Sequence, residues 1–253
     1  MHVSYSEIKL WNECSHKHKL QYIDKIDGFK GNLHTAFGTA IHSVCERALL
    51  DGNLDREECF VSAFAEELDS LKSKEVEIDE VLLEQMLGQY EPIITHFKEE
   101  LYDYFGDFEL ISTEEKLYED IEGQDLKFKG FIDLIVKTPD GKYHILDWKT
   151  TGWGWDSRKK ADKIINYQLT LYKIFWALKN DIPLNMIETH FGLLKRTAKK
   201  NNIEIFRATS GPIKIRNALT FLEKAVINIK KSFSIKNRLS CKYCDFYKTE
   251  HCT

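Results

Sequence analysis

Apolar residues recur at helical spacing through roughly the first hundred positions, then change near residue 109 to the alternation and short continuous runs of strands. Residues 4–22 place Ile8, Trp11, Cys14 and Leu20 where a helix would turn them toward a core, and a polar loop follows through Gly28 and Gly31. A second helix is expected from about Thr39 through TAIHSVCERALL, and two more over 55–72 and about 78–105, the latter kinked or broken at Pro92. ELISTEEKLYEDI, a turn at 122–125, LKFKGFIDLIVKT, the turn Pro139-Asp140-Gly141 and KYHILDWKT then predict a three-strand meander. A loop rich in Trp and Gly leads to a helix over 160–179. NMIETHFGLLKR and NIEIFRAT form a further hairpin, and 211–232 a final long helix before a cysteine-bearing tail. This order implies an α/β or α+β fold, a mixed central sheet flanked by helices.

Composition adds bounds to that picture. The chain has 253 residues, 43% of them hydrophobic, enough to bury a sizeable core. Few prolines and glycines, no internal repeat and no low-complexity stretch predict one domain over 1–253, with the acidic helical segment 50–105 as an insertion within it. No signal pattern opens the chain, and no apolar run approaches the roughly 18 residues of a membrane span, so a soluble cytoplasmic protein with no membrane partner is expected. The net charge of −4 hides a polarity: residues 46–125 hold 25 acidic against 6 basic side chains, and 195–253 hold 14 basic against 4 acidic. The basic quarter is either a phosphate-binding surface or an ordinary solvated face.

The chemistry concentrates in the meander. Asp133 in GFIDLIV and Asp147 in HILDWK have apolar flanks that mark central strands, where an ionised carboxylate needs a cation, a proton or hydrogen-bond donors. Each is seven residues from Asp140. A hairpin folded symmetrically there sets them opposite one another, with Cβ atoms roughly 4.5–5.5 Å apart, a separation that lets two carboxylates share one ion. Lys149, two residues past Asp147, emerges on the same face. Two acids and an amine suit phosphodiester hydrolysis with Mg²⁺ or Mn²⁺, with a structural cross-strand ion cluster on a solvated sheet face as the alternative. His42 lies four residues before Glu46 on one helical face and reads from the residues alone as a surface or hydrogen-bonded core histidine. Gln168 and Tyr172 are also i,i+4 neighbours, either both facing the site or divided between solvent and core. Glu114 and Glu115 are candidates for an outer carboxylate. Trp153, Trp155 and Tyr167 either stack unpaired bases or pack.

Taken together, these elements resemble the PD-(D/E)XK nucleases, and within them the RecB-like and Cas4-like exonucleases. The resemblance is carried in order by Ser6 to Cys14 with Tyr22, Gly38-x-x-x-His42, Gly130-x-x-Asp133, Asp147-Trp148-Lys149 and Gln168-x-x-x-Tyr172. It implies a restriction-endonuclease-like sheet. It also implies a catalytic cation held by His42, Asp133, Asp147 and the Trp148 carbonyl, with Lys149 as the catalytic amine and Gln168 and Tyr172 contacting phosphate or positioning it.

Six cysteines fall at 14, 45, 59, 241, 244 and 252. Cys241-x-x-Cys244 near a third cysteine reads better as metal ligation than as a disulfide framework, and Cys45 and Cys59 as buried thiols. The resemblance implies that Cys14, Cys241, Cys244 and Cys252 hold a [4Fe–4S] cluster stapling the chain ends, with structural Zn²⁺ as the alternative. The Cys244–Cys252 spacing is long, and His251 is an adjacent substitute ligand. The expected function is a DNA exonuclease acting on single-stranded ends, in DNA repair or recombination. Two alternatives stand beside it: a nuclease-fold subunit dependent on a helicase or a CRISPR-type spacer-acquisition complex, and a zinc-stabilised nucleic-acid binder without hydrolysis.

Overall fold

The switch from helical spacing to strand alternation near residue 109 holds in three dimensions. The computed structural model describes residues 1–253. They run β1 (His2–Ser4), α1 (Tyr5–Glu13), α2 (Ser15–His18), α3 (Leu33–Leu50), α4 (Arg56–Ser73), α5 (Glu80–Leu87) and α6 (Glu91–Phe105). The strands β2 (Glu109–Asp120), β3 (Lys127–Lys137) and β4 (Tyr143–Thr151) follow, then α7 (Ser157–Ala161), α8 (Lys163–Asn180), β5 (Ile187–Lys195), β6 (Ile203–Arg207) and α9 (Pro212–Lys230). The mixed sheet has the order β1-β3-β4-β5-β6, with β2 paired to β3. Residues group into two compact units, one of Gly31–Lys116 and Phe131–Ser210, the other of Met1–Lys30, Leu117–Gly130 and Gly211–Thr253.

In the first of these, β4 and β5 are the central strands. Both are buried along most of their length, as parallel strands covered on both faces must be. They pair in register from Tyr143↔Ile187 to Thr151↔Lys195, and α8 makes the crossover between them. Asp162 caps α8, accepting from Ile164 N and Ile165 N. The helix then buries nearly every residue from Asn166 to Ala177, which explains its apolar character on all sides. α3, α4 and α6 pack with strand residues Leu134, Val136, Leu146 and Trp148 in one hydrophobic core. Phe37, Phe60, Phe64 and Tyr90 form its aromatic centre, with Phe60 and Tyr90 stacked at 4.2 Å.

The β3–β4 hairpin is antiparallel from Leu134↔Leu146 to Lys137↔Tyr143, every pair equidistant from Asp140 as expected. Gly141, at φ 85°, supplies the left-handed residue that closes the turn.

Several boundaries differ from the pattern reading. α3 begins at Leu33 rather than near Thr39. Asn32 Oδ1 accepts from Thr35 N and Thr35 Oγ1 accepts from Asn32 N, a reciprocal cap built with Thr in place of the usual Glu or Gln. The segment 78–105 is two helices, and Pro92 lies in the first turn of the second, where its missing N–H costs nothing.

In the other unit, β1 pairs parallel with the start of β3, and Trp11 meets Phe221 of α9 at 6.3 Å. The expected single helix over 4–22 is broken at Cys14, which is extended (φ −162°, ψ 109°) and caps α2 through its sulfur. Ile8 and Leu20 are buried as expected, whereas Trp11 and Cys14 are half-buried.

Gly192 sits opposite Trp148 in the β4–β5 register, and a Cβ there would fall well inside contact distance of the Trp148 ring. Gly192→Ala is therefore expected to cost about 1–3 kcal/mol through overpacking, read as a fall of several degrees in Tm. An unchanged melting temperature would show that the indole is not held against this glycine.

Candidate active site

Five elements converge on one end of the β3–β4 hairpin. β3 carries Asp133, β4 carries Asp147, Trp148 and Lys149, α3 carries His42 and Glu46, α8 carries Gln168 and Tyr172, and β2 contributes Glu114. Asp133 lies one position beyond the last ladder pair and is as far from Asp140 as Asp147 is; the two do not form a ladder pair, and Asp147 feels the charge of Asp133. Pairing stops there because the Asp133 side chain replaces it, Oδ2 accepting the Trp148 backbone N–H at 2.6 Å. His42 Nδ1 is 3.8 Å from the same oxygen. Lys149 Nζ abuts Asp147 Oδ2 as an ion pair, and this buried oxygen has no other partner, so it keeps an unused lone pair. Gln168 Nε2 donates to Tyr172 Oη at 3.2 Å, so that helical pair faces one way.

Donor atoms of His42, Glu46 and Asp133 lie within 4.8 Å of one another, spacing that a metal ion can span. Glu46 is thus the residue that the sequence reading noticed only as a neighbour of His42. The available signal was its i,i+4 position on the same helical face. Of the two outer candidates, Glu115 is drawn away to Lys179 at 2.6 Å. Glu114 instead adopts φ 48° within β2, a left-handed residue that shifts the phase of the strand, and its charge is felt by His42, Glu46 and Asp133.

Electrostatics follow from crowding acids into a partly dry place. Burial, with Lys149 opposing it, pushes Asp133 and Asp147 each up to about 6. Burial and then the charges of Glu114 and Asp133 push Glu46 up to about 8. Burial draws His42 down to about 4, keeping the imidazole neutral and able to accept a metal. Burial, then the charge of Asp147, holds the Tyr172 phenol well above its ordinary range, so it remains a donor. Asp133 and Asp147 feel the Lys149 ammonium, whereas Glu46 feels only the further charges of Glu114 and Asp133, an excess of acid that a divalent cation would neutralise.

The aromatic loop does not act as a unit. Trp153 is 70% exposed, Tyr167 is buried, and Trp155 packs on Phe191 at 5.2 Å beneath the Lys159 ammonium. Of the two alternatives left open for these rings, packing holds for Tyr167 and Trp155. The basic quarter does not belong to one unit. It is divided between the two units, and Lys195 and Arg207 are paired with Glu204 and Glu188.

In the unit that holds both chain ends, Cys14, Cys241, Cys244 and Cys252 all line one cavity of about 270 Å³. Cys14 Sγ accepts from Lys17 N at 3.5 Å and Asn237 N at 3.4 Å, and Lys17 and Lys236 add positive charge to the lining. The long Cys244–Cys252 spacing is absorbed by a tight loop: Lys248 has φ 63°, Lys248 N donates to Cys252 O, and Thr249 bridges to Cys252. The His251 ring lies against Glu250 and Phe246 and does not line the cavity. Cys45 is fully buried in the core one turn from His42, and Cys59 is also buried.

A solved structure of a presumed exonuclease from Eubacterium rectale superposes on this chain with a TM-score of 0.61. It shares 14% identity and covers 96% of this chain and 86% of its own, a likeness of fold. A second solved structure, SSO0001, covers 95% and 91% at 15% identity, but its TM-score of 0.37 is too low to speak for the fold. No curated protein matches the chain in sequence. No helix is long and apolar enough to cross a membrane. The family description of the PD-(D/E)XK nuclease superfamily matches residues 2–249, so the chain belongs to that superfamily.

Proposed function

We propose that this nuclease is a DNA exonuclease that hydrolyses phosphodiester bonds at single-stranded ends with Mg²⁺ or Mn²⁺. The observation that carries the reading is one acidic cluster in which His42, Glu46 and Asp133 set their donor atoms within 4.8 Å of one another, Glu114 adds its charge, and Asp147 pairs with Lys149 beside a neutral His42. The residues fit a hard or borderline cation: a mixed nitrogen and oxygen donor set within 4.8 Å, and a buried Asp147 oxygen with an unused lone pair. His42, Glu46, Asp133 and Asp147 would hold it, and the Trp148 carbonyl remains a further candidate. When bound, such an ion supplies charge neutralisation at the phosphate and an acidified water.

The chain's own groups supply the rest. The Lys149 ammonium, anchored on Asp147 and about a third exposed, orients the attacking water and stabilises charge developing on phosphate oxygens. Tyr172, kept protonated, and its partner Gln168 offer donors to a phosphate oxygen or hold Lys149 in place. The Trp148 N–H keeps Asp133 ionisable and oriented. Trp153, exposed just beyond β4, is the aromatic platform suited to stacking an unpaired base, which supports a single-stranded end. The four-cysteine cavity supports a [4Fe–4S] cluster on Cys14, Cys241, Cys244 and Cys252, of structural role, with zinc the alternative.

Purified protein with Mn²⁺ is expected to shorten end-labelled single-stranded DNA, and Asp147→Ala to lower the rate about a hundredfold or more. An inert wild type would reject the autonomous enzyme and leave a subunit that needs a helicase or spacer-acquisition partner.

Glu46 predicts a pH dependence of stability. Its carboxyl is raised in the fold, so its favourable contribution is complete below about 4.5 and is lost as pH rises toward about 8. In metal-free buffer Glu46→Gln should therefore melt above wild type at pH 8 by about 2 °C or more, and not at pH 4. Equal melting at both values would remove Glu46 from the charged cluster.

Anaerobically purified protein should contain iron with acid-labile sulfide, lost in Cys252→Ser and kept in His251→Ala; zinc alone would reject the cluster.

A further inference from the structure

A second group of metal-type donors lies outside the nuclease centre. β4 and β5 pair with His144 opposite Glu188 and Leu146 opposite His190, so strand alternation sets His144, Glu188 and His190 on one face. His144 is three residues from Asp147 on β4, which places the two on opposite faces of the strand. Both rings are buried, 8% and 2% exposed, and His144 Nδ1 lies 3.0 Å from His190 Nε2. Donor atoms of all three residues are within 4.8 Å of one another. Ligands at about 2.0–2.1 Å from a tetrahedral zinc ion are about 3.3 Å apart, close to the separation already set between the two rings.

From these placements we propose that His144, Glu188 and His190 form a second metal site, for a zinc-class divalent cation, that clamps β4 to β5. The outward nitrogens are arranged as ligand histidines require. His144 Nε2 is 2.9 Å from Thr138 Oγ1 and His190 Nδ1 is 3.2 Å from Tyr104 Oη, hydroxyls that accept an N–H and fix each ring. Without metal, one N–H must lie between the facing nitrogens. Binding moves that proton to the outer nitrogen of the same ring, a tautomer change with no net loss of charge. Burial draws both imidazoles down, His190 to about 3, so each is in the neutral form a metal needs. Lys142 and Arg207 both engage Glu188 through Oε1. The site borders a cavity of about 420 Å³ whose lining mixes Asp140 and Glu188 with Lys142 and Arg207, giving the ion an entry and an open fourth position. The two-histidine, one-carboxylate set favours zinc over the magnesium class, in contrast to the oxygen-rich centre around Asp133.

The test is Co²⁺ titration of the full chain carrying Asp133→Asn and Asp147→Asn, which disables the nuclease centre, followed by visible absorption. One equivalent is expected to give tetrahedral d–d bands without thiolate charge transfer, so that uptake at the cysteines is seen separately, and Zn²⁺ should displace it. Glu188→Gln and His144→Gln should weaken this binding at least tenfold. Tyr104→Phe, which leaves all three ligands and the ring packing in place, should weaken it about tenfold. Charge-transfer bands alone, or equal affinity in every variant of unaltered circular dichroism, would overturn the proposal.

Discussion

Two carboxylates on central strands of a buried sheet are the constraint around which the rest is arranged. Asp133 and Asp147 stand on neighbouring strands of a hairpin folded symmetrically about Asp140, and burial pushes each toward its protonated form. The fold offsets this only in part, with the Trp148 N–H on one acid and the Lys149 ammonium on the other. It then adds Glu46 and Glu114, which worsens the imbalance. A structural ion cluster would be balanced by its own side chains. This one is left short of positive charge, a condition that makes sense for residues that share an ion.

Holding that arrangement falls to the packing beneath it. Trp148 fills the space that Gly192 leaves on the neighbouring strand, and its position decides where the N–H that holds Asp133 points. α3 presents His42 and Glu46 on one face while Ile41, Val44, Cys45 and Ala48 anchor the other in the core. α8, buried on nearly all sides, gives Gln168 and Tyr172 a rigid base. Precision at the charged cluster is thus supplied by apolar contacts that take no part in chemistry.

The cysteine-bearing unit solves a different problem. Both chain ends lie in it, joined by hydrogen bonds from Ser15, His16 and Asn237. Termini fray unless tied down. The thiol-lined cavity sits where such a tie would act, and the turn at Lys248 is what carries Cys252 to it.

The sequence by itself determined whatever depends on local spacing. Equal distances from Asp140 predicted the register of the hairpin that carries Asp133 and Asp147, alternation placed Lys149 beside Asp147, and i,i+4 spacing joined Gln168 to Tyr172. The meander, the apolar strands and the order of helices were also legible, because periodicity reports which face of an element is buried. Tertiary structure decided what depends on contacts between elements distant in the chain. Glu46 and Glu114 reach the site through the packing of α3 and a left-handed residue in β2, neither of which leaves a periodic signal. The partnership of His144 with Glu188 and His190 required the register of two parallel strands joined by a long crossover. Trp155 and Tyr167 looked like Trp153 in sequence, and only tertiary structure separated the packed rings from the exposed one. Local geometry is written into neighbouring residues, whereas register, burial and shared charge are set by the whole core at once.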